Sequence, residues 1–298
     1  MTFSFLPQGN GAMAIRLLAT WCLFAVVGTS TLHAQQGNTL RTGNTDALGA
    51  LLQSAQTVTE AQEIELGRQV ASILVSGKPL DPDPALHRYV NQLGSWLALQ
   101  SSRPQLPWTF AVVDESDYHA YSTPGGYVFV TRGLIDRCAD EAELAGVLAH
   151  EIAHVSHKHH LQAMHKAAQS GAGAQGLAGL AAHVFYKGVG ADAEYAADRE
   201  AVALAGRAGL DPFGLVAALV QMHALGDSDL LVAESHPPSQ VRLDQLEQAM
   251  GKRLDHLAGI HPQVTIAQRL AAPLPQIAPA SVKPTAPAAT GRASRTRK

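Results

Sequence analysis

The chain has 298 residues, with 22 Lys and Arg against 25 Asp and Glu and a formal net charge of −3. That length accommodates one sizeable core, and the acidic balance speaks against a nucleic-acid-binding body. Of two cysteines, Cys22 lies in an N-terminal apolar run, so Cys138 is left alone and an internal disulfide framework is excluded.

Arg16 precedes the apolar run Leu17 to Gly28, and small and polar residues then lead to Leu32-His33-Ala34. This is the pattern of a signal peptide over residues 1–34, cut before Gln35, and the run is too short to favour a permanent span. Export to a bacterial periplasm is expected, with release from the cell left open. Residues 35–56 read as a linker and residues 57–271 as the folded domain. Thr57-Val58-Thr59-Glu60 offers a capping box for a helix to about Val75. Asp83-Pro84 opens a second helix carrying Leu86, Tyr89, Val90, Leu93 and Leu97 at helical spacing.

Trp108 to Val113 and Gly126 to Thr131 are the clearest strands, and the chain after Asp140 reads as helix or loop. The expected class is therefore α+β, mainly helical, with a small sheet. Gly171 to Tyr186 is apolar but short, which favours a packed helix or flap over a span, with a peripheral membrane contact left open. Asp211-Pro212 caps a helix, and Ser239 to Met250 forms a later one. From residue 272 the chain is rich in proline and alanine and basic without acids, so a disordered tail is expected.

Asp140-Glu141-Ala142-Glu143 sets an N-cap before Leu144, Val147, Leu148, Ile152 and Val155, and no proline falls between residues 138 and 211. His150-Glu151-Ile152-Ala153-His154 thus reads as mid-helix. Two histidines four apart project from one side and can share a zinc ion, and Glu151 then stands where it can take a proton from a water on the metal. This is the pattern of a metal-dependent hydrolase. A catalytic zinc takes a third protein group, for which two candidates compete. His160 has the spacing of a longer motif that needs glycine where this chain has His157. Glu194 is the better candidate, because Asp198 one turn further on can hydrogen-bond a ligating imidazole and fix its tautomer. His157, His159, His160 and His165 read as a polar helix face.

The ordered set of Glu63-Ile64-Glu65-Leu66-Gly67, the run Pro124 to Leu134, His150-Glu151-x-x-His154, Glu194-x-x-x-Asp198 and His236-Pro237-Pro238-Ser239 resembles the M48 family of zinc metallopeptidases, over about Glu63 to Leu246. The resemblance implies a zincin-like (gluzincin) fold and endopeptidase activity, with one Zn²⁺ on His150, His154 and Glu194 and Glu151 as general base. The family usually has Asn-Ala-Phe where this chain has His119-Ala120-Tyr121, so His119 is left out of the site. His236 is the candidate oxyanion stabiliser, with a fourth-ligand role in a latent form as the alternative. Because the resemblance includes the run before the zinc helix, Gly125, Gly126, Tyr127 and Val128 are expected on an exposed edge strand that pairs with an extended peptide, an ordinary core strand being the alternative. The resemblance further implies unfolded or misassembled envelope proteins as substrates, in quality control. A chaperone-like binding protein with a silent zinc site and a non-proteolytic zinc hydrolase are the rival classes.

Overall fold

A computed structural model describes residues 49–52, 54, 57–171, 176–226 and 235–271. The expected signal peptide, the tail and most of the expected linker lie outside these residues. Leu52, assigned to the linker, is fully buried beside Leu66, Leu161 and Leu180, so packing starts ahead of residue 57.

Helix α1 (Glu60–Leu74) is capped by Thr59, whose side chain and that of Gln62 satisfy each other's backbone N–H. The box is thus two residues later than the one expected at Thr57. Helix α2 (Pro84–Ala98) starts as expected, with Asp83 accepting from the N–H groups of Ala85 and Leu86. Strands β1 (Thr109–Val113), β2 (Ala120–Thr123) and β3 (Tyr127–Thr131) form one sheet in the order β1-β3-β2. β1 runs parallel to β3, and β2 antiparallel to it. The short helix α3 (Arg132–Arg137) follows β3 directly.

Side chains alternate across the sheet, as two-residue periodicity requires. Phe110, Val112, Val128 and Val130 face the main core with α2, while Tyr121 and Phe129 face Ala71 and Leu74 of α1. Both faces are therefore covered.

Helix α4 (Glu141–Ser156) is buried on nearly every side: Leu144, Ala145, Leu148, Ala149, Ile152 and Ala153 have no exposed surface. Asp140 caps it by accepting from Glu143 N, and the Glu143 carboxylate takes the Ala139 N–H. The helix ends at Ser156, two residues past His154, so the histidine motif occupies its last turns rather than its middle. Helices α5 (His159–Gln169), α6 (Gly176–Lys187), α7 (Ala191–Arg207), α8 (Gly214–Ala224), α9 (Ser239–Met250) and α10 (Ile266–Ala271) complete the described fold. α6 is a packed helix, burying Leu177, Leu180, Ala181 and Val184.

α4 and α8 cross at backbone contact. A Cβ on Gly146 would lie 2.2 Å from Leu215 N. Gly146→Ala must push the helices apart, and we expect it to cost roughly 1–3 kcal/mol, read as a lowered denaturation midpoint. An unchanged midpoint would show that the crossing yields at no cost.

Candidate metal centre

α4 sets His150 and His154 one turn apart, with their Nε2 atoms 2.9 Å from each other. α7 brings Glu194 in from its first turn. Its Oε2 lies 3.5 Å from His150 Nε2 and its Oε1 lies 3.5 Å from His154 Nε2, too long for good hydrogen bonds. All three side chains are buried, and their donor atoms fall within 4.8 Å of one another. Glu194 Oε2 is also buried without a hydrogen-bond partner. Two imidazole nitrogens and an orphaned carboxylate oxygen aimed at one point fit a zinc ion in kind, number and geometry.

Burial raises the cost of charge on Glu194, yet nearby His236 and His150 outweigh it and hold the carboxyl down to about 2. It therefore stays ionised and ready to bind a cation. Asp198, one turn along α7, has Oδ1 2.9 Å from His150 Nδ1. This is the contact expected for a carboxylate that orients a metal histidine. Asp198 is itself gripped by Arg242 of α9, Nε to Oδ2 at 2.9 Å and Nη2 to Oδ1 at 2.5 Å. Arg242 is only 3 % exposed. It had no signal in the sequence beyond standing six residues after His236.

Glu151 is buried beside the three donors without belonging to their group. Burial pushes its carboxyl up, with the His150 charge and Ser122 opposing. Its backbone carbonyl accepts from Ser122 Oγ at 3.3 Å, which ties β2 to the metal helix. His236 Nδ1 lies 2.8 Å from Ser235 Oγ, and its Nε2 is 3.6 Å from Glu194 Oε2. It thus sits at the rim of the centre, outside the three-donor group. A cavity lined by Glu151, His154, Glu194 and His236 opens beside these groups, walled on its apolar side by Val70 and Phe185.

The expected substrate strand needs correction. β3 is the central strand, hydrogen-bonded on both sides, and Val128 is fully buried. Gly125 and Gly126 form the β2–β3 turn at φ 79° and 106°. The backbone they admit is the chain's own: a Cβ on Gly125 would lie 2.6 Å from Ile64 Cα. The sheet edge beside the cavity is β2, which also contributes Ala120, Tyr121 and Ser122 to the cavity wall. His119, excluded from the site beforehand, lines the same cavity, and burial drives its imidazole down to about 3.

His160 is not among the three donors, but it lines the cavity with its Nδ1 buried and unpartnered. His159 packs on His154, with the two Nδ1 atoms 3.2 Å apart. The expected polar helix face therefore has two members turned inward, His160 into the cavity and His159 against His154.

The family model for peptidase family M48 matches residues 84–250, more than half of the chain. The chain belongs to peptidase family M48. Among curated proteins it is similar to the beta-barrel assembly-enhancing protease of Escherichia coli, 32% identical over 111 residues, covering 37% of this chain and 23% of that protein. It is 37% identical over 71 residues to the mitochondrial metalloendopeptidase OMA1 of Schizosaccharomyces pombe, covering 24% of this chain and 21% of the relative. A protease HtpX homolog of Salinibacter ruber is 26% identical over 220 residues, covering 57% of this chain and 75% of its own. The match to the beta-barrel assembly-enhancing proteases spans about a quarter of their length. Within this M48 chain, all three family-implied donors, Glu151 and Asp198 fall inside the matched residues.

Proposed function

We propose that the chain is a zinc-dependent endopeptidase of the bacterial envelope, cleaving unfolded or misassembled proteins in quality control. One observation carries this reading: the His150, His154 and Glu194 donors converge next to a buried Glu151, at a cavity bordered by an edge strand. A zinc ion held there supplies Lewis acidity toward a water and a scissile carbonyl. Glu151 takes the water's proton and passes it to the departing amine. His236, facing the centre from the loop before α9, stabilises the oxyanion with its Nε2 side. A peptide extended along β2 pairs with backbone, so affinity depends little on side-chain sequence. That suits a protease for unfolded proteins.

The envelope assignment is supported by the signal-like N-terminus and by similarity to proteins named beta-barrel assembly-enhancing proteases. No helix among the described residues is long and apolar enough to cross a membrane. On this reading, nucleic acid is not a partner, and membrane contact is peripheral.

Casein digestion by the full chain is expected to stop when 1,10-phenanthroline removes the metal and to return with stoichiometric zinc. Hydrolysis that survives complete metal removal would sink the proposal. A zinc-loaded chain that never cleaves, and gains activity on His236→Ala, would instead favour a latent form with His236 as fourth ligand.

A further inference from the structure

His150 and His154 hold their orientation by different means. His150 has a carboxylate behind it, whereas the group behind His154 is a second imidazole, that of His159, at 3.2 Å between Nδ1 atoms. The rings meet nearly edge to face, 5.1 Å apart at 79°. His154 is 2 % and His159 9 % exposed, so the contact is made away from bulk water.

This contact requires a break in the helix. In an uninterrupted α-helix a residue five positions on is turned about 140° away, so His159 could not reach His154. The chain breaks at Lys158, at φ 59° and ψ 30°, the one non-glycine residue with positive φ among the described residues. Such a conformation is costly for a side chain of this type and persists only where its surroundings impose it. Lys158 Nζ reaches the fully buried carboxylate of Glu63 at 3.1 Å, which fixes the turn. Arg103, paired with the same carboxylate, donates to Val155 O at the end of α4. The turn thus starts α5 at His159 and folds that ring back under His154.

Two nitrogens at this distance share one proton. His154 must keep the lone pair of Nε2 for the metal, so the proton sits on its Nδ1 and His159 Nδ1 accepts it. We propose that His159 is the positioning residue for His154, accepting the His154 Nδ1–H and thereby fixing the tautomer and ring plane that present Nε2 to zinc. This rests on the metal site of the proposed function, and not on peptide hydrolysis.

Zinc affinity of the full chain, measured by competition with a chromophoric chelator, tests it. His159→Leu removes the acceptor and is expected to weaken zinc binding about 10–100-fold. It should also alter the visible spectrum of the cobalt-substituted chain. His159→Asn sets a carbonyl oxygen where Nδ1 stands and should recover most of the loss, whereas His159→Gln places its carbonyl at the Nε2 position and should not. Parent-like affinity and spectrum in His159→Leu would overturn the proposal, as would equal affinities for the Asn and Gln variants. If His159→Leu fails to fold by circular dichroism, the Asn and Gln pair decides alone. A parent chain that takes up no zinc overturns the metal-site reading first. Zinc binding without casein hydrolysis, in the parent and in His236→Ala alike, sinks only the peptidase reading.

Discussion

Glu151→Gln is expected to lower casein hydrolysis by about 10²–10⁴-fold while zinc content stays that of the parent. Glutamine has nearly the same volume, so the packing around a side chain only 4 % exposed is preserved. What it loses is the ability to take a proton. The metal should remain, because the three donors converge without Glu151. The raised pKa that burial gives this carboxyl makes it a stronger base than a solvated glutamate, and the amide has no counterpart. Rates from peptide cleavage and zinc from elemental analysis are both needed. A variant that hydrolyses at the parental rate would remove Glu151 from the mechanism, and one that loses zinc would make it a ligand.

The largest expected stability loss lies away from the cavity, at Glu63. This residue of α1 is fully buried and accepts from Arg103 Nη1 at 2.5 Å, while Lys158 Nζ lies 3.1 Å away. Burial alone would raise its pKa, but hydrogen bonds from Arg103 and Lys158 lower it below the usual carboxylate value. Glu63→Ala leaves the buried Arg103 with Glu60 as its one acidic partner among the described residues, while the part-exposed Lys158 can turn to solvent, and should cost about 3–5 kcal/mol in chemical denaturation. Glu65→Ala, which removes a solvent-exposed pair with Arg68, should cost less than about 1 kcal/mol. Because the folded-state pKa of Glu63 is depressed, its contribution is present above the unfolded pKa and fades as pH falls through the folded one. The gap between parent and Glu63→Ala should therefore narrow in acid. A gap that is small at neutral pH would mean that the ion cluster does not hold the end of α4.

Much of the site could be read locally. The H-E-x-x-H spacing required a helix, and the Asp140 cap with its apolar periodicity supplied one. Glu194 and Asp198, four apart on α7, carried a second readable spacing. β2 escaped notice because it is four residues long and half polar, Ala-Tyr-Ser-Thr, without a run that alternation could reveal. The order β1-β3-β2 has no local signal, because Thr109 pairs with Tyr127 although β2 lies between them in sequence; the edge expected from the family resemblance is the central strand. The break at Lys158 carries no glycine or proline, so nothing local separates the histidines after it from a continuing polar face.

The sequence by itself determined the donors and base of the proposed metal centre, the Asp140 cap of α4 and the family, since each depends on neighbours a turn or less apart or on ordered motifs. Only the tertiary structure decided which strand is free beside the cavity, that Arg242 clamps Asp198 from 44 residues away, and that His159 turns in beneath His154. These depend on packing between distant segments and on a backbone conformation held by the ion pair of Lys158 with a buried carboxylate. Helical and strand periodicities do not encode such contacts.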